Sequence, residues 1–351
     1  MILATILSTL LAAAVWQRLP DMPQPKEQLA FEAMGDRLYA VGGICDGSET
    51  TTGFAYDLPA GCWEPIAPMP LAIQSPCLRA VGDRLFLIGG YDSYRKIKYE
   101  QCLEYDAVLD QWLQRSPMPS GREDMGSAVI GEEIWVFGGV TNPEHEVLNE
   151  VLVYNTTLDV WDGPYKMPEP RALGDFAVSL GETVYLLAGT NTLFGYPYLQ
   201  PAEYGWAFNS GDRSWSLVEG IRTPRCYAES ERIGSLIYVV GGVSSSTTNW
   251  FSTMDILDTD TNTWRASKPL PYAARGMGVT STGGELYIAG GHNGRAHARC
   301  HVYIPDNPDI DMLSSDPNSP GDADVIFIDT IGPTADDDPP PPPGPPPIPK
   351  R

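Results

Sequence analysis

Short apolar runs recur along the chain, and each follows a glycine-containing turn. The runs are YAVGG at 39, FLIGG at 86, WVFGG at 135, YLLAG at 185, YVVGG at 238 and YIAGG at 287. The turns that precede them include GDRLY and GEEIW, and such a turn feeding an apolar-aromatic run is typical of a tight β-hairpin. The pattern therefore predicts six repeats of short strands and no long helices.

A tryptophan segment accompanies each apolar run. The segments are VWQRLPDMP at 15, CWEPIAPMP at 62, QWLQRSPMP at 111, VWDGPYKMP at 160, SWSLVEGIRTP at 214 and TWRASKPLP at 263. The tryptophans recur at intervals of roughly 50 residues, which is the signature of a repeat architecture. They are Trp16, Trp63, Trp112, Trp161, Trp215 and Trp264.

Each repeat accommodates four antiparallel strands, because a third strand such as FAYD or LVYN follows the glycine pair and its loop. Four short antiparallel strands make one blade of a β-propeller. Paired glycines indicate the close backbone approach that a crowded inner strand needs. They are Gly42, Gly43, Gly89, Gly90, Gly138, Gly139, Gly241, Gly242, Gly290 and Gly291, and Ala188 replaces the first glycine of blade four.

The last repeat lacks a tryptophan strand, whereas the first tryptophan has no complete repeat before it. The third strand of the last repeat, around CHVYIPD, is followed by no tryptophan. We therefore expect the strand around Trp16 to complete the sixth blade and to close the ring, which removes exposed sheet edges. The prediction is an all-β, six-bladed propeller over residues 15–304, with the six tryptophans and the paired glycines as structural residues.

The order of glycine pair, tyrosine with acid, tryptophan, Met-Pro and arginine resembles the kelch repeat family over residues 15 to about 304. The resemblance implies a kelch-type propeller. Some kelch proteins are enzymes, including a copper oxidase of sugars and a sialic-acid epimerase. The oxidase's ligands cannot be mapped onto this chain, and the epimerase's acid and base have no counterparts by motif. Enzymatic activity stays uncertain, and a noncatalytic role is favoured.

Residues 1–14, MILATILSTLLAAA, form an apolar run that is too short to cross a bilayer core of roughly 30 Å. The run ends in an A-x-A cleavage site at Ala12–Ala14, so the mature chain would begin at Val15. The sequence therefore predicts a signal peptide and a secreted or periplasmic protein. No Lys or Arg precedes the run, so a cytoplasmic location is the alternative.

Residues 305–351 differ in composition from the repeats. From Asp306 onward there are ten acidic residues against Lys350 and Arg351, and the chain ends DDDPPPPPGPPPIPKR. We expect a disordered, acidic, proline-rich tail with a polyproline II end. The tail is interpreted as a spacer, with a ligand for an SH3-type domain as the alternative.

The composition limits the possible partners. With 45 Asp and Glu against 23 Lys and Arg the formal net charge is −22, so the chain should repel nucleic acid and anionic membranes. The six cysteines form no dense disulfide framework, and buried thiols are favoured over one or two bridges. Three of the four histidines lie in HNGRAHARCH, which has no recognised ligand spacing, so we predict neither a metal nor a cofactor.

A candidate binding surface follows from strand direction. In each blade the turn before the inner strand and the loop after the glycine pair should open on the same face. At or next to one position of this turn are Lys26, Arg122, Arg171, Arg225 and Arg275, with Gln74 in blade two. A ring of cations could hold a carboxylate through bidentate hydrogen bonds. The alternative is that these cations pair within or between blades.

The loops after the glycine pairs carry aromatic and basic residues, which suit stacking on a sugar or anchoring a peptide. Packing of these side chains on their own loops is the alternative. The candidates are Tyr91, Tyr94, Arg95 and Lys96 in blade two, Phe194, Tyr196 and Tyr198 in blade four, Trp250 and Phe251 in blade five, and His292 and Arg295 in blade six.

Three functions are compatible with these patterns. The favoured one is a noncatalytic propeller, expected to be a monomer, that binds a protein or peptide through its loop face. The second is an exported carbohydrate-binding or sugar-active propeller similar to the sialic-acid epimerase. The third is a scaffold whose active part is the proline-rich tail.

Overall fold

In the computed structural model each repeat folds into a four-stranded antiparallel sheet, and six such sheets form a ring. The structure describes residues 14–141, 146–192, 199–218, 220–244 and 248–305. Every regular element in these residues is a β-strand. The predicted all-β, six-bladed propeller is therefore confirmed. Within the described residues no helix is long and apolar enough to cross a bilayer.

The strands are numbered in chain order from β1 (Val15–Leu19), and each blade is given from its inner to its outer strand. Blade one contains β2 (Ala30–Met34), β3 (Arg37–Val41), β6 (Gly53–Asp57) and β7 (Cys62–Ile66). Blade two contains β8 (Cys77–Val81), β9 (Arg84–Ile88), β12 (Cys102–Asp106) and β13 (Gln111–Arg115). Blade three contains β15 (Gly126–Ile130), β16 (Glu133–Phe137), β18 (Glu150–Asn155) and β19 (Val160–Lys166).

Blade four contains β20 (Ala177–Leu180), β21 (Thr183–Leu186), β22 (Gly205–Asn209) and β23 (Trp215–Val218). Blade five contains β24 (Glu229–Ile233), β25 (Leu236–Val240), β26 (Met254–Asp258) and β27 (Thr263–Ala266). Blade six contains β28 (Arg275–Thr282), β29 (Glu285–His292), β30 (Cys300–Ile304) and β1. Three two-stranded ladders lie outside the blades: β4 (Ile44–Cys45) with β5 (Ser48–Glu49), β10 (Tyr91–Asp92) with β11 (Ile97–Lys98), and β14 (Arg122–Glu123) with β17 (Val140–Thr141).

The first strand closes the ring. Strand β1 pairs with β30 in an antiparallel register that runs from Val15↔Ile304 to Leu19↔Cys300. Trp16 is 4% exposed, and its ring centroid lies 5.1 Å from that of Tyr303. The predicted closure by the N-terminal strand is confirmed. Ala14 packs in the same core cluster, whereas residues 1–13 lie outside the described residues, and cleavage and export stay predictions.

The glycine pairs connect neighbouring blades. In all six blades the N–H of the second glycine donates a hydrogen bond to a backbone carbonyl in the turn of the next blade, as Gly139 does to Arg171 at 2.8 Å. A Cβ on Gly138 would lie 2.0 Å from the same carbonyl oxygen, and Gly138 has a positive φ of 61°. Only glycine meets both conditions without strain. Ala188, in the equivalent place of blade four, takes a φ of 72°.

All six cysteines are free thiols, and four of them are buried: Cys77, Cys102, Cys226 and Cys300.

The acidic, proline-rich segment from Asp306 to the end of the chain lies outside the described residues. Val15 of β1 pairs with Ile304 of β30. This pair lies at the end of blade six that is opposite the glycine pair.

Candidate functional site

The turns before the inner strands and the loops after the glycine pairs lie on one face of the ring. Single β-bridges join them in successive blades, for example Gln74↔Tyr91 and Cys226↔Val243. This surface is called the loop face below. It comprises the turns at 26–29, 73–76, 122–125, 171–175, 225–228 and 274–277 and the described parts of the loops at 44–50, 91–98, 140–147, 190–201, 243–250 and 292–296.

Four of the five predicted binding cations are fully buried. Lys26, Arg122, Arg171 and Arg225 each have 0% of their surface exposed. Each donates to the backbone oxygen of the first residue of its own blade's glycine pair. The bonds are Lys26 Nζ to Gly42 (2.9 Å), Arg122 to Gly138 (3.1 Å), Arg171 to Ala188 (2.8 Å) and Arg225 to Gly241 (2.9 Å).

This geometry corrects the expectation that the four cations surround a ligand, because a fully buried cationic group cannot donate a hydrogen bond to a ligand at the surface. Three of them are also paired with acids of their own blades: Arg122 with Glu150, Arg171 with Glu169 and Arg225 with Asp255. Burial lowers the pKa of Arg122 to about 10 and that of Lys26 to about 8. These cations satisfy strand-end carbonyls that would otherwise be buried without partners.

Arg275 differs from the other four because it lies one residue later in the repeat. It pairs with His292, directly after the glycine pair, as Gln74 pairs with Tyr91 in blade two. Blade six has Ala274 in the buried-cation position. Arg275 is only half-buried, and within the described residues its guanidinium makes no hydrogen bond or ion pair. Sequence spacing alone could not separate two adjacent positions of the same turn.

Tyr227 of blade five lies beside Arg275. The guanidinium carbon of Arg275 is 5.0 Å from the centroid of the Tyr227 ring. Tyr227 has a positive φ of 52° and is partly exposed, and its hydroxyl forms no hydrogen bond in the part of the chain that the structure describes. The guanidinium and the tyrosine ring are therefore packed together on the loop face, where Tyr227 borders the central channel, and neither polar group has a hydrogen-bond partner among the described residues.

Two further predicted residues join this entrance. The ring centroids of Trp250 and His292 are 6.2 Å apart, with an angle of 65° between the ring planes. Nδ1 of His292 lies 3.0 Å from Oε2 of Glu27 in blade one. Blades five, six and one thus bring together a set that is called the mouth cluster below. It consists of Tyr227, Trp250, Arg275 and His292.

The hairpin of blade two supplies a separate exposed group. Tyr94, at the tip between β10 and β11, is 91% exposed. Arg95 is paired with Asp92 at 2.6 Å, and the ring of Tyr91 lies 5.0 Å from Nζ of Lys98. Tyr94 is therefore placed to contact a partner, whereas Arg95 and Tyr91 are already engaged within the hairpin.

The other predicted loop residues divide into three groups. Phe251 is covered by the guanidinium of Arg225, at 5.0 Å, and so packs on its own blade. Lys96 and Arg295 are exposed on the loop face. The blade-four residues Phe194, Tyr196 and Tyr198 lie outside the described residues, and their role stays a prediction.

An ionic cluster that the sequence patterns did not predict lies in the central channel. Arg79 of β8 donates to the backbone oxygen of Ser127 in blade three at 2.9 Å. It is also paired with Glu32 of blade one at 3.4 Å and with Asp175 of blade four. The side chain borders two cavities, of about 40 and 170 Å³, on the loop-face side and the opposite side of the channel. One arginine thus links four blades and divides the channel.

Among the described residues, acidic side chains that border the channel cavities outnumber basic ones. Glu229 and Glu231 of blade five border the two cavities, and neither makes an ion pair within the described residues. Burial raises the pKa of Glu32 to about 8, and burial also raises the pKa values of Asp175, Glu229 and Glu231. Within the described residues no group of three or more His, Cys, Asp or Glu side chains is arranged to hold a metal ion.

These carboxyl groups predict a propeller that loses stability as the pH rises. Between pH 4.5 and about 8 folded Glu32 retains a proton that the unfolded chain has released, so the free energy of unfolding falls with increasing pH in this window. Glu229→Gln should raise stability at pH 8 and reduce the slope, because it removes a carboxyl group whose ionisation is unfavourable in the folded channel and which the unfolded chain ionises freely. Urea denaturation at pH 5, 6.5 and 8 measures both, and equal slopes in the two proteins would contradict this account.

Two family models match the chain. The model described as the KLHDC2/KLHL20/DRC7 Kelch-repeats domain matches residues 28–221, and the Kelch motif model matches residues 224–271. Together they cover five of the six blades in full or in part.

The curated relatives are longer proteins with a shared repeat segment. The Kelch-like protein terF of Aspergillus terreus (strain NIH 2624 / FGSC A1156) is 28% identical over 132 residues, which are 37% of this chain and 29% of that protein. An F-box/kelch-repeat protein of Arabidopsis thaliana is 26% identical over 95 residues, 27% of this chain and 21% of that protein. The matched segment spans less than a third of each relative.

A solved structure with the same fold covers most of the chain. The structure of YjhT superposes with a TM-score of 0.72 at 14% identity, covering 83% of this chain and 98% of that one. At this identity the likeness concerns the fold alone.

Proposed function

Since this chain belongs to the kelch-repeat family, we propose that it is a noncatalytic propeller that binds a protein or peptide partner through its loop face. The observation that carries the proposal is the pairing of Arg275 with Tyr227 at the entrance of the channel. Both side chains are partly exposed and packed on each other, and within the described residues neither the guanidinium nor the hydroxyl forms a hydrogen bond or ion pair.

The chemistry of the mouth cluster suggests an anionic group in the partner. A guanidinium binds a carboxylate through two parallel hydrogen bonds, and such charge-assisted bonds are about twice as strong as neutral ones. Tyr227, which packs on Arg275, and Trp250, which packs on His292, add aromatic surface to the site. Aromatic and arginine side chains at the centre of a surface typically carry most of the binding energy of an interface.

Tyr94 provides a second contact for a partner of peptide length or longer. Its side chain projects from blade two, whereas the mouth cluster belongs to blades five and six. Amphipathic aromatic side chains gain affinity by burying a large apolar area while the hydroxyl keeps a polar contact. A partner that covers both places would cross the channel entrance.

We expect Arg275→Ala to weaken binding of a selected acidic peptide by about 10- to 100-fold, since a lost hydrogen bond to a charged group costs about 1.5–3 kcal/mol. The peptide would come from a phage-displayed random library panned on the full chain, and fluorescence anisotropy would measure its affinity. Arg232→Ala is the matched control, because Arg232 is an exposed arginine at the opposite end of an inner strand.

Three outcomes would contradict the proposal. Equal losses for the Arg275 and Arg232 variants would show that general charge, and not the mouth cluster, attracts the peptide. Binding of glycans without any selected peptide would favour the carbohydrate alternative. A chain that ends at residue 332 should bind the peptide as well as the full chain does, whereas loss of binding would favour the tail as the active part.

A further inference from the structure

Asp124 lies on the loop face in the blade that is across the ring from the blade of Arg275. It lies in the turn of blade three, and blades three and six are opposite one another in a six-membered ring. Asp124 and Tyr227 both border the cavity of about 40 Å³ on the loop-face side of Arg79. The positive charge of Arg275 acts to lower the pKa of the Asp124 carboxyl, yet the two side chains form no ion pair within the described residues.

The backbone of Asp124 is held on both sides. Its N–H donates to the oxygen of Ser75 at 3.4 Å, and its own carbonyl accepts a bond from the N–H of Leu173 at 3.2 Å. Asp124 has a positive φ of 52°. The residues at the same place in other blades also have a positive φ, among them Ser75 at 50° and Gly276 at 56°. The fold thus fixes where this carboxyl stands, and the neighbouring blades show that serine or glycine is accepted there.

From this placement we propose that Asp124 is an internal competitor for Arg275, and that its protonation strengthens the binding of an anionic partner group at the mouth cluster. The inference rests on the proposed function, because it concerns the same site. When Asp124 is ionised, its charge partly neutralises Arg275 and repels a second anion. When Asp124 is protonated, the charge of Arg275 is available in full.

The surroundings place this change near neutral pH. Burial raises the pKa of Asp124 to about 6, although the Ser75 side chain, Arg275 and Lys98 act in the opposite direction. Glu123 on the same turn is paired with Lys98 at 3.5 Å, and burial raises its pKa to about 8. The other groups that interact with Asp124 are Cys226, Tyr227 and Glu229 of blade five. Asp124 is therefore the member of this group expected to change charge between pH 5 and 7.5.

Sulfate is a suitable probe, because its charge is constant over this range. Calorimetric titration of the full chain with sulfate, at constant ionic strength, should give an affinity about fivefold higher at pH 5 than at pH 7.5, the size expected for one unit charge at a partly screened distance. Asp124→Asn should show the higher affinity at both pH values. Arg275→Ala should bind no sulfate at either.

A pH dependence that persists in Asp124→Asn would assign the effect to another group and overturn the proposal, as would absence of sulfate binding to the wild-type protein. Asp124→Ser is a second variant in case the amide disturbs the turn, since Ser75 occupies the same place in blade two. The two proposals fail separately: peptide binding that needs Arg275 but sulfate binding without pH dependence would leave the proposed function standing.

Discussion

Replacing Trp16 with alanine should lower the free energy of unfolding by about 3–5 kcal/mol, the range for truncating a large buried aromatic side chain. The loss should affect all six blades in one transition, because β1 joins the first and last repeats and its removal opens the ring at a sheet edge. Urea denaturation followed by far-ultraviolet circular dichroism measures the change. An unaltered midpoint, or a separate transition for one blade, would contradict ring closure as the source of stability.

Phenylalanine at the same place provides a matched control. Within the described residues the indole N–H of Trp16 has no hydrogen-bond partner, whereas that of Trp112 donates to the Ala67 oxygen of the preceding blade at 2.9 Å. Trp16→Phe should therefore retain most of the packing on Tyr303 and lose little stability. Trp112→Phe should cost about 1 kcal/mol more, the net value of one hydrogen bond.

The fold could be predicted from the sequence because local and long-range patterns agree. Each apolar run, turn and tryptophan recurs at the same place in the repeat, so six weak signals support one another. Closure followed from an unmatched strand at each end, which only a ring can pair. The glycine pairs predict a close approach of two backbone segments. The hydrogen bond from the Gly139 N–H to the Arg171 carbonyl identifies the second segment as the turn of the next blade.

The candidate site could be predicted only as a face. A residue's place in a turn decides whether its side chain points into its own blade or toward the channel, and this changes from one residue to the next. Arg225 and Arg275 look equivalent in the sequence, but Arg225 is fully buried against Gly241 and Arg275 is partly exposed beside Tyr227. A one-residue shift therefore separates a structural cation from a candidate binding cation.

The channel cluster could not be predicted, because its members come from different repeats. The members of the cluster lie far apart in the sequence and share no motif: they are Glu32, Arg79 and Asp175. One signal was available: Glu32 and Arg79 are polar residues within otherwise apolar inner strands, AFEAM and CLRAV. A polar residue in such a strand needs a partner, but the sequence does not say which blade supplies it.

Arg79 occupies a position where the loss of one side chain affects several blades. Inner strands leave backbone groups that face the channel, and side chains from neighbouring blades satisfy them. Ala80 N–H donates to Glu32, Ser127 N–H donates to Asp175, and the Ser127 oxygen accepts from Arg79. The guanidinium holds both carboxylates in the places where they accept these bonds.

We therefore expect Arg79→Met to lower the free energy of unfolding by about 3–5 kcal/mol near pH 8, the cost of removing one partner from a buried ion pair. The loss should be smaller at pH 5, because Glu32 and Asp175, whose pKa values burial already raises, can then be neutral without a counterion. Arg37→Met, which breaks exposed pairs with Asp57 and Glu64, should cost about 1 kcal/mol or less. Urea denaturation of both variants at the two pH values measures these changes in the free energy of unfolding. A loss for Arg79→Met as small as that for Arg37→Met, or a loss that is independent of pH, would show that the channel carboxylates do not depend on Arg79.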